Sequence, residues 1–273
     1  MVCETLNTIH PTAVVHKNAK LGQRIRIGPY CVVGAEVVLE DEVHLHSHVV
    51  VEGRTTLRKG CEVYPFASLG HAPQDLKYQG ELSTLEVGPK TVIREYVTIQ
   101  PGTRGGRMKT VVGGACLLMG SVHIAHDCVI GEKVIMANHA TLGGHVVVED
   151  GAVIGGLAAV HQFVRIGKSS MIGGLAGIVG DVIPYGMVGP SNRYLVGLNI
   201  TGLKRRGVQV AVMRQLQKIY TLLFENRDNT LEKRIEEVCE MNDLSVEGRE
   251  MLDFIKKPSK RGLCLPHWKS EPK

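Results

Sequence analysis

The segment His123-Ile124-Ala125-His126-Asp127 puts two imidazoles and a carboxylate within five residues. An imidazole ordinarily titrates near neutrality, so it can take the proton from a hydroxyl as that oxygen attacks an acyl carbon. A glycine close by lets a backbone N–H approach a developing oxyanion. No Gly-x-Ser-x-Gly segment occurs, so a covalent serine route has no support, and direct acyl transfer is the chemistry these residues fit. The other histidines say less. His44, His46 and His48 alternate and share one face of a strand, a spacing seen in metal sites. With no nearby Cys or carboxylate seen to complete a site, surface exposure or stacking between layers is the preferred reading. His10, His16 and His267 carry no signal.

The frame that must position these groups is a repeat of period six. From Ile9, steps of six give Val15, Leu21, Ile27, Val33, Leu39, Leu45, Val51, Leu57, Val63 and Leu69. The step resumes at Val87, Ile93 and Ile99, then shifts by one residue and runs from Val112 through Leu118, Ile124, Ile130, Met136, Leu142, Val148, Ile154, Val160, Ile166 and Ile172 to Ile178. Every position is apolar in a chain that is 44% hydrophobic, so chance is excluded. Gly often follows, as at Gly22, Gly28, Gly34, Gly131, Gly143 and Gly155, which predicts corners at positive φ. Two residues before the aliphatic sits a small or β-branched residue, and Cys31, Cys61, Cys116 and Cys128 share that column. They read as buried hydrophobes.

Period six marks a parallel β-helix: one short strand and one corner per hexad, three hexads to a coil of 18 residues, and about nine stacked coils at ~4.8 Å spacing. Adding 18 to 126 gives Gly144, and 18 more gives Gln162, so these three form one vertical column flanked by His145 and His161. The column is either a polar outer face or a site. The fold class is therefore all-β with an α appendage. A β-helix spans 1–190, with inserted loops near 71–86 and 100–111, and a helical domain with a basic tail spans 191–273. In the latter, Val212, Leu216, Ile219 and Leu223 lie on one helical face. Leu231, Ile235 and Val238 mark a second helix capped by Asn229 or Thr230, and Met251, Leu252 and Ile255 mark a third. The first loop carries Gln74-Asp75-Leu76-Lys77-Tyr78, too specific a run for a disordered link.

Composition narrows the class. Aromatics are only 4% and glycines number 32, as a narrow core of small side chains requires. No apolar run reaches the ~18–20 residues that span a bilayer, and the first residues show no signal segment, so no stable membrane insertion is expected. Seven scattered Cys predict neither a disulfide framework nor a zinc site and fit a reducing cytoplasm. A net charge of +5 is too small to point to nucleic acid.

The stretches His123–Asp127, Gln74–Tyr78, Ala159-Val160-His161-Gln162-Phe163, Gly197-Leu198-Asn199-Ile200 and Gly202-Leu203-Lys204-Arg205-Arg206-Gly207 together resemble the UDP-N-acetylglucosamine 3-O-acyltransferase family of lipid A synthesis. The likeness runs from Ile9-His10-Pro11 into the helical C-terminus and is more specific than the hexad, which many acyltransferases share. It implies a left-handed coil and a homotrimer with sites in clefts between subunits. It also implies transfer of a 3-hydroxyacyl group from acyl carrier protein to the 3-hydroxyl of UDP-N-acetylglucosamine, with no cofactor or metal. By the same resemblance His126 matches the general base and Gly144 the oxyanion donor. Asp75 and Lys77 match residues that hold the substrate near the reacting hydroxyl. Gln74, His123, His145, His161 and Gln162 match further sugar or acyl contacts, and Asn199, Arg205 and Arg206 match the nucleotide end. Gly174 matches the acyl-chain ruler. Lys204, Arg205, Arg206, Arg214 and Lys218 are candidates to dock the carrier protein, with a solvated face as the alternative for Arg214 and Lys218. Two residues depart from the pattern: Thr201 stands where relatives are acidic, and His139 where Asn is usual. A related N-acyltransferase would need an extra N-terminal domain, for which a repeat starting at Ile9 leaves no room. A non-catalytic β-helix is the rival from another class, and an acyl-transfer assay discriminates them.

Overall fold

The computed structural model describes residues 6–226, 229–241 and 243–267. Most hexads form a two-residue strand in which the aliphatic points inward, as in Arg26–Ile27 and Val32–Val33. Three sheets of 11, 9 and 8 strands result, parallel throughout except for the last strand of the first, because every third strand pairs with the one a coil earlier. The coil is left-handed. In uninterrupted coils the register is 18 residues, as in Val14↔Val32 and His123↔Thr141. Across the two insertions it becomes Val63↔Ile93 and Ile93↔Leu118. Ile25, Val43, Val49, Val122, Ala140 and Ala158 fill the second inward column and are fully buried. Cys31, Cys61, Cys116 and Cys128 lie there too, as expected. Burial pushes the Cys61 and Cys128 thiols up to about 12, so neither is a nucleophile near neutrality.

The glycine column has a different cause from the one its spacing suggested. Most of these glycines have ordinary φ; positive φ falls two residues later, on non-glycine residues such as Tyr30, Glu42, His48, Phe66, Tyr96, Asp127, His145 and Phe163. What demands glycine is the next coil: a Cβ on Gly28 would stand 2.8 Å from the His46 carbonyl carbon. Between the two, the residue second after the aliphatic donates no hydrogen bond to the neighbouring coil's backbone. Pro11, Pro29, Pro65, Pro89, Pro184 and Pro190 all occupy that position, where a missing N–H costs nothing. The proline column was readable in the sequence and is a second signature of the corner.

The prism has three corners. The first, between the 11- and 9-stranded sheets, stacks Tyr30, His48, Phe66 and Tyr96 with ring centroids 5.0–5.1 Å apart. The second, between the 9- and 8-stranded sheets, carries Asp127, His145 and Phe163, and both inserted loops leave from it. They span 70–83 and 100–108, shorter than the sequence breaks imply, because Thr84–Val87 and Lys109–Val112 are four-residue strands that restart the coil early. The third corner carries Arg24, Glu42, Lys133, Gly151 and Ser169, and the C-terminal helices pack against its far end.

After Gly186–Val188 the chain turns back in an antiparallel strand, Leu195–Leu198. Helix α1 (Ile200–Arg205) is a short element that its sequence pattern did not announce. Helix α2 (Val210–Tyr220) buries Met213, Leu216 and Ile219 and runs into a wider turn holding Leu223 and Phe224. Helix α3 (Leu231–Cys239) is capped by Thr230, whose hydroxyl accepts from the Lys233 N–H, and α4 (Val246–Lys256) is capped by Ser245. The basic tail is not loose through its described part. Asp181 bridges Leu263, Leu195 bridges Pro266, and Cys264 is buried. No helix among the described residues is long and apolar enough to cross a membrane.

Candidate active site

The second corner brings His126, Gly144 and Gln162 into one column, one per coil. His126 is buried. Its Nδ1 lies 2.9 Å from Oδ2 of Asp127, a carboxylate with no exposed surface. The 100–108 loop satisfies that carboxylate. The Thr103 N–H donates at 3.1 Å and its hydroxyl at 2.6 Å, and the Arg107 N–H donates at 2.6 Å. Burial pushes the Asp127 carboxyl up, but these hydrogen bonds and the one with His126 outweigh it and hold the group below the usual carboxylate range. An ionised Asp127 can only accept, so in the neutral ring of His126 the proton sits on Nδ1 and Nε2 offers its lone pair.

Gly144 lies against that face of the ring: a Cβ there would meet His126 Cε1 and Nε2 at 2.6 Å. The Gly144 N–H, in the proline-tolerant corner position, donates to no acceptor among the described residues. His145 stands edge-on to His126 with centroids 5.0 Å apart and stacks on Phe163 at 4.4 Å. Burial holds the His145 imidazole below its ordinary range, and does the same to His123, whose Nδ1 lies 2.7 Å from the Thr98 hydroxyl. A cleft of about 450 Å³ opens beside His145, lined also by Gly106, Arg107, Phe163, Arg165 and Lys260. Donor atoms of His126, Asp127 and His145 lie within 4.8 Å of one another, close enough to hold an ion. The Asp127 oxygens, however, already accept from Thr103 and Arg107, which favours a fixed acid–base pair.

The family-model description "UDP N-acetylglucosamine O-acyltransferase, Domain 2" matches residues 181–264. The acyl-[acyl-carrier-protein]–UDP-N-acetylglucosamine O-acyltransferase of Azorhizobium caulinodans is 48% identical over 258 residues, covering 94% of this chain and 95% of the relative. That of Rhizobium johnstonii is 42% identical over 258 residues, 94% of each. A crystal structure of UDP-N-acetylglucosamine acyltransferase superposes with a TM-score of 0.91 at 39% identity, covering 96% of this chain and 100% of that one. The chain belongs to the UDP-N-acetylglucosamine O-acyltransferase family.

As a member of that family it is an acyltransferase, and its remaining candidate residues divide by corner. His161 and Gln162 are exposed at the second corner. In the 70–83 loop, the Asp75 carboxylate accepts from the Lys77 N–H at 3.0 Å, while the Gln74 and Lys77 side chains are exposed. Glu81 ties this loop to the other one by accepting from the Arg104 N–H at 2.8 Å. Asn199 is elsewhere. Its Oδ1 caps α1 through the Gly202 N–H at 3.0 Å, and its Nδ2 donates to the Ser169 carbonyl, at the third corner. Arg206 donates to the Gly151 carbonyl of that same corner, and Arg205 projects outward. Gly174 shares the first corner with Gly120, Asn138 and Gly156, beside the exposed Leu157 and Leu175. Thr201 and His139 are both exposed.

Sequence reasoning gave no site role to Asp127, Thr103, Arg107, Phe163, Lys260 or Arg261. Asp127 had a signal, its place next to His126. The tail residues had none. Lys260 Nζ sits 4.4 Å from the Phe163 ring centroid, and the Arg261 Nε–H donates to the Gln162 carbonyl at 2.8 Å, contacts that span about a hundred residues of chain.

Proposed function

We propose that this protein transfers a 3-hydroxyacyl chain from acyl carrier protein to the glucosamine 3-hydroxyl of UDP-N-acetylglucosamine, the first step of lipid A biosynthesis. The observation that carries the reading is the buried His126–Asp127 pair facing a glycine whose N–H is unengaged. His126 Nε2 takes the proton of the sugar hydroxyl as its oxygen attacks the thioester carbonyl. The oxyanion that forms accepts from the Gly144 N–H. Collapse breaks the C–S bond, and the imidazolium returns its proton to the departing thiolate, so the base is regenerated. Asp127 keeps the proton on Nδ1 and stabilises the cation in between.

Around this centre, His123, His145, His161 and Gln162 line the second corner for sugar and acyl contacts, and Asp75, Lys77 and Gln74 come in from the loop. Gly174, with the small residues of the first corner, receives the end of the acyl chain. Asn199 and Arg206 fix the start of the helical region so that Arg205 faces the diphosphate. Arg suits that role because its planar fork matches phosphate oxygens. These sets occupy three different corners of the prism. One chain therefore does not bring them to one substrate, whereas copies packed side by side as a homotrimer set one corner against the next.

The test is to incubate the purified protein with 3-hydroxyacyl carrier protein and UDP-N-acetylglucosamine and identify the product by mass spectrometry. A 3-O-acylated sugar nucleotide is expected. Transfer to a 3-amino acceptor alone, or no transfer at all, overturns the assignment. Mixing inactive His126→Ala and Arg205→Ala chains should restore part of the activity if the site is shared.

A further inference from the structure

The outer face of the 11-stranded sheet holds a second histidine cluster, at the other end of the molecule from the C-terminal helices. His44 and His46 leave the same face of one coil, with ring centroids 4.0 Å apart. The sequence offers no obvious partner, but stacking the next coil supplies one. Glu62 is the register partner of His44. Its Oε1 lies 3.0 Å from His46 Nε2 and 3.8 Å from His44 Nδ1. His48 takes no part, because it turns the first corner and stacks on Phe66.

From this juxtaposition we propose that His44, His46 and Glu62 form a binding site for a divalent transition-metal cation of the zinc type. Two imidazole nitrogens and one carboxylate oxygen are a donor set such ions accept. The three donor atoms lie within 4.8 Å of one another. Donors bonded at ~2.0–2.1 Å around a tetrahedral ion stand roughly 3.3 Å apart, so small side-chain rotations close the site. The His46 ring is already held, stacked on Tyr64 at 4.4 Å, which reduces the ordering cost of binding. A cleft of about 520 Å³ borders His44 and is lined also by Thr8, His10, Arg24 and Arg26, leaving room for water to complete the coordination. Arg26, in register with His44 on the preceding coil, opposes a cation and sets a modest affinity. The site is distinct from the His126 centre, which lies on another corner several coils away.

Zinc titrated into the full chain, followed by calorimetry, tests the assignment. Cobalt serves as a spectroscopic probe, since its absorption reports imidazole and carboxylate ligation. One ion per chain should bind, and His44→Ala, His46→Ala and the near-isosteric Glu62→Gln should each weaken binding by about tenfold or more. His126→Ala should bind like the unaltered protein. Zinc should also raise the melting temperature, and Glu62→Gln should reduce that rise while its circular dichroism stays unchanged. Absence of binding, or binding that survives all three substitutions, overturns the proposal.

Discussion

The first and second corners are built from the same repeat, with the same positive-φ position and the same ring-on-ring stacking, yet they differ in chemistry. At the first, Tyr30, His48, Phe66 and Tyr96 stack in the open, and Tyr30, Phe66 and Tyr96 are among the exposed large side chains. At the second, His145 and Phe163 stack in the same way, but the 100–108 loop folds over and places Thr103 and Arg107 on Asp127. The repeat supplies columns of side chains at fixed spacing. What sets the second column apart is an insertion that hydrogen-bonds a buried carboxylate and fixes it against an imidazole. A buried, hydrogen-bonded pair orients its members; an exposed stack does not.

The sharpest way to break this contrast is to exchange the histidines. His126→Ala should lower turnover by about 10²–10⁴ with fold and assembly intact, as loss of a general base does. His48→Asn, which tolerates the same positive φ, should leave turnover essentially unchanged. Comparable losses in the two variants, measured as kcat with circular dichroism as control, would remove the distinction. The first corner should instead act through chain length. Gly174→Met adds a side chain beside the exposed Leu157 and Leu175, where the acyl chain is proposed to end. Its Cβ would meet the Gly156 carbonyl oxygen at 3.2 Å, so circular dichroism is the control for an intact coil. At about 0.8 kcal/mol per methylene, preference between acyl chains differing by four carbons should shift by roughly a hundredfold towards the shorter. An unchanged profile in competition assays places the ruler elsewhere.

Asp127→Asn keeps the shape but lets the partner of Nδ1 donate, which favours the wrong tautomer. A fall in kcat on the order of 10² is expected, with KM little altered. A smaller effect should come from the helical region. Lys204, Arg205, Arg206, Arg214 and Lys218 are exposed, so attraction to an acidic carrier protein should weaken several-fold in apparent affinity between low and high salt. A salt-independent KM for the carrier would rule out electrostatic docking there.

The smallest effect concerns acid stability. Burial lowers the imidazoles of His44, His123 and His145, so the unfolded chain binds protons more readily than the folded one. Their contribution is complete above the ordinary imidazole value of ~6.5 and is lost as pH falls towards the lowered values. Asp127, also lowered, adds a loss only at still more acid pH. Melting temperatures should therefore decline from pH 7 to pH 5, and His145→Gln should flatten part of that decline.

The sequence determined whatever repeats. An inward aliphatic every six residues dictates a short strand, three strands dictate a coil, and stacking coils buries Cys31, Cys61, Cys116 and Cys128 without further instruction. Because the register is 18 residues in regular coils, simple counting placed Gly144 and Gln162 above His126. The pattern of Val212, Leu216, Ile219 and Leu223 likewise announced the longest helical stretch. Local periodicity carries this information because each contact recurs at a constant separation.

Tertiary structure decided what does not recur. The two insertions stretch the register to 30 and then 25 residues, as Glu62↔Val92 and Val92↔Leu117 show, so counting cannot say which loop atoms reach Asp127. The tail folds back over Phe163 through contacts with no sequence period. Asn199 and Arg206 were read with the substrate residues, yet they bind carbonyls of a corner away from His126. Glu62 completes the His44–His46 pair only because the next coil lies on top of it. The positions of glycine turned on close approach between coils, a steric demand that exists only once the coils are stacked.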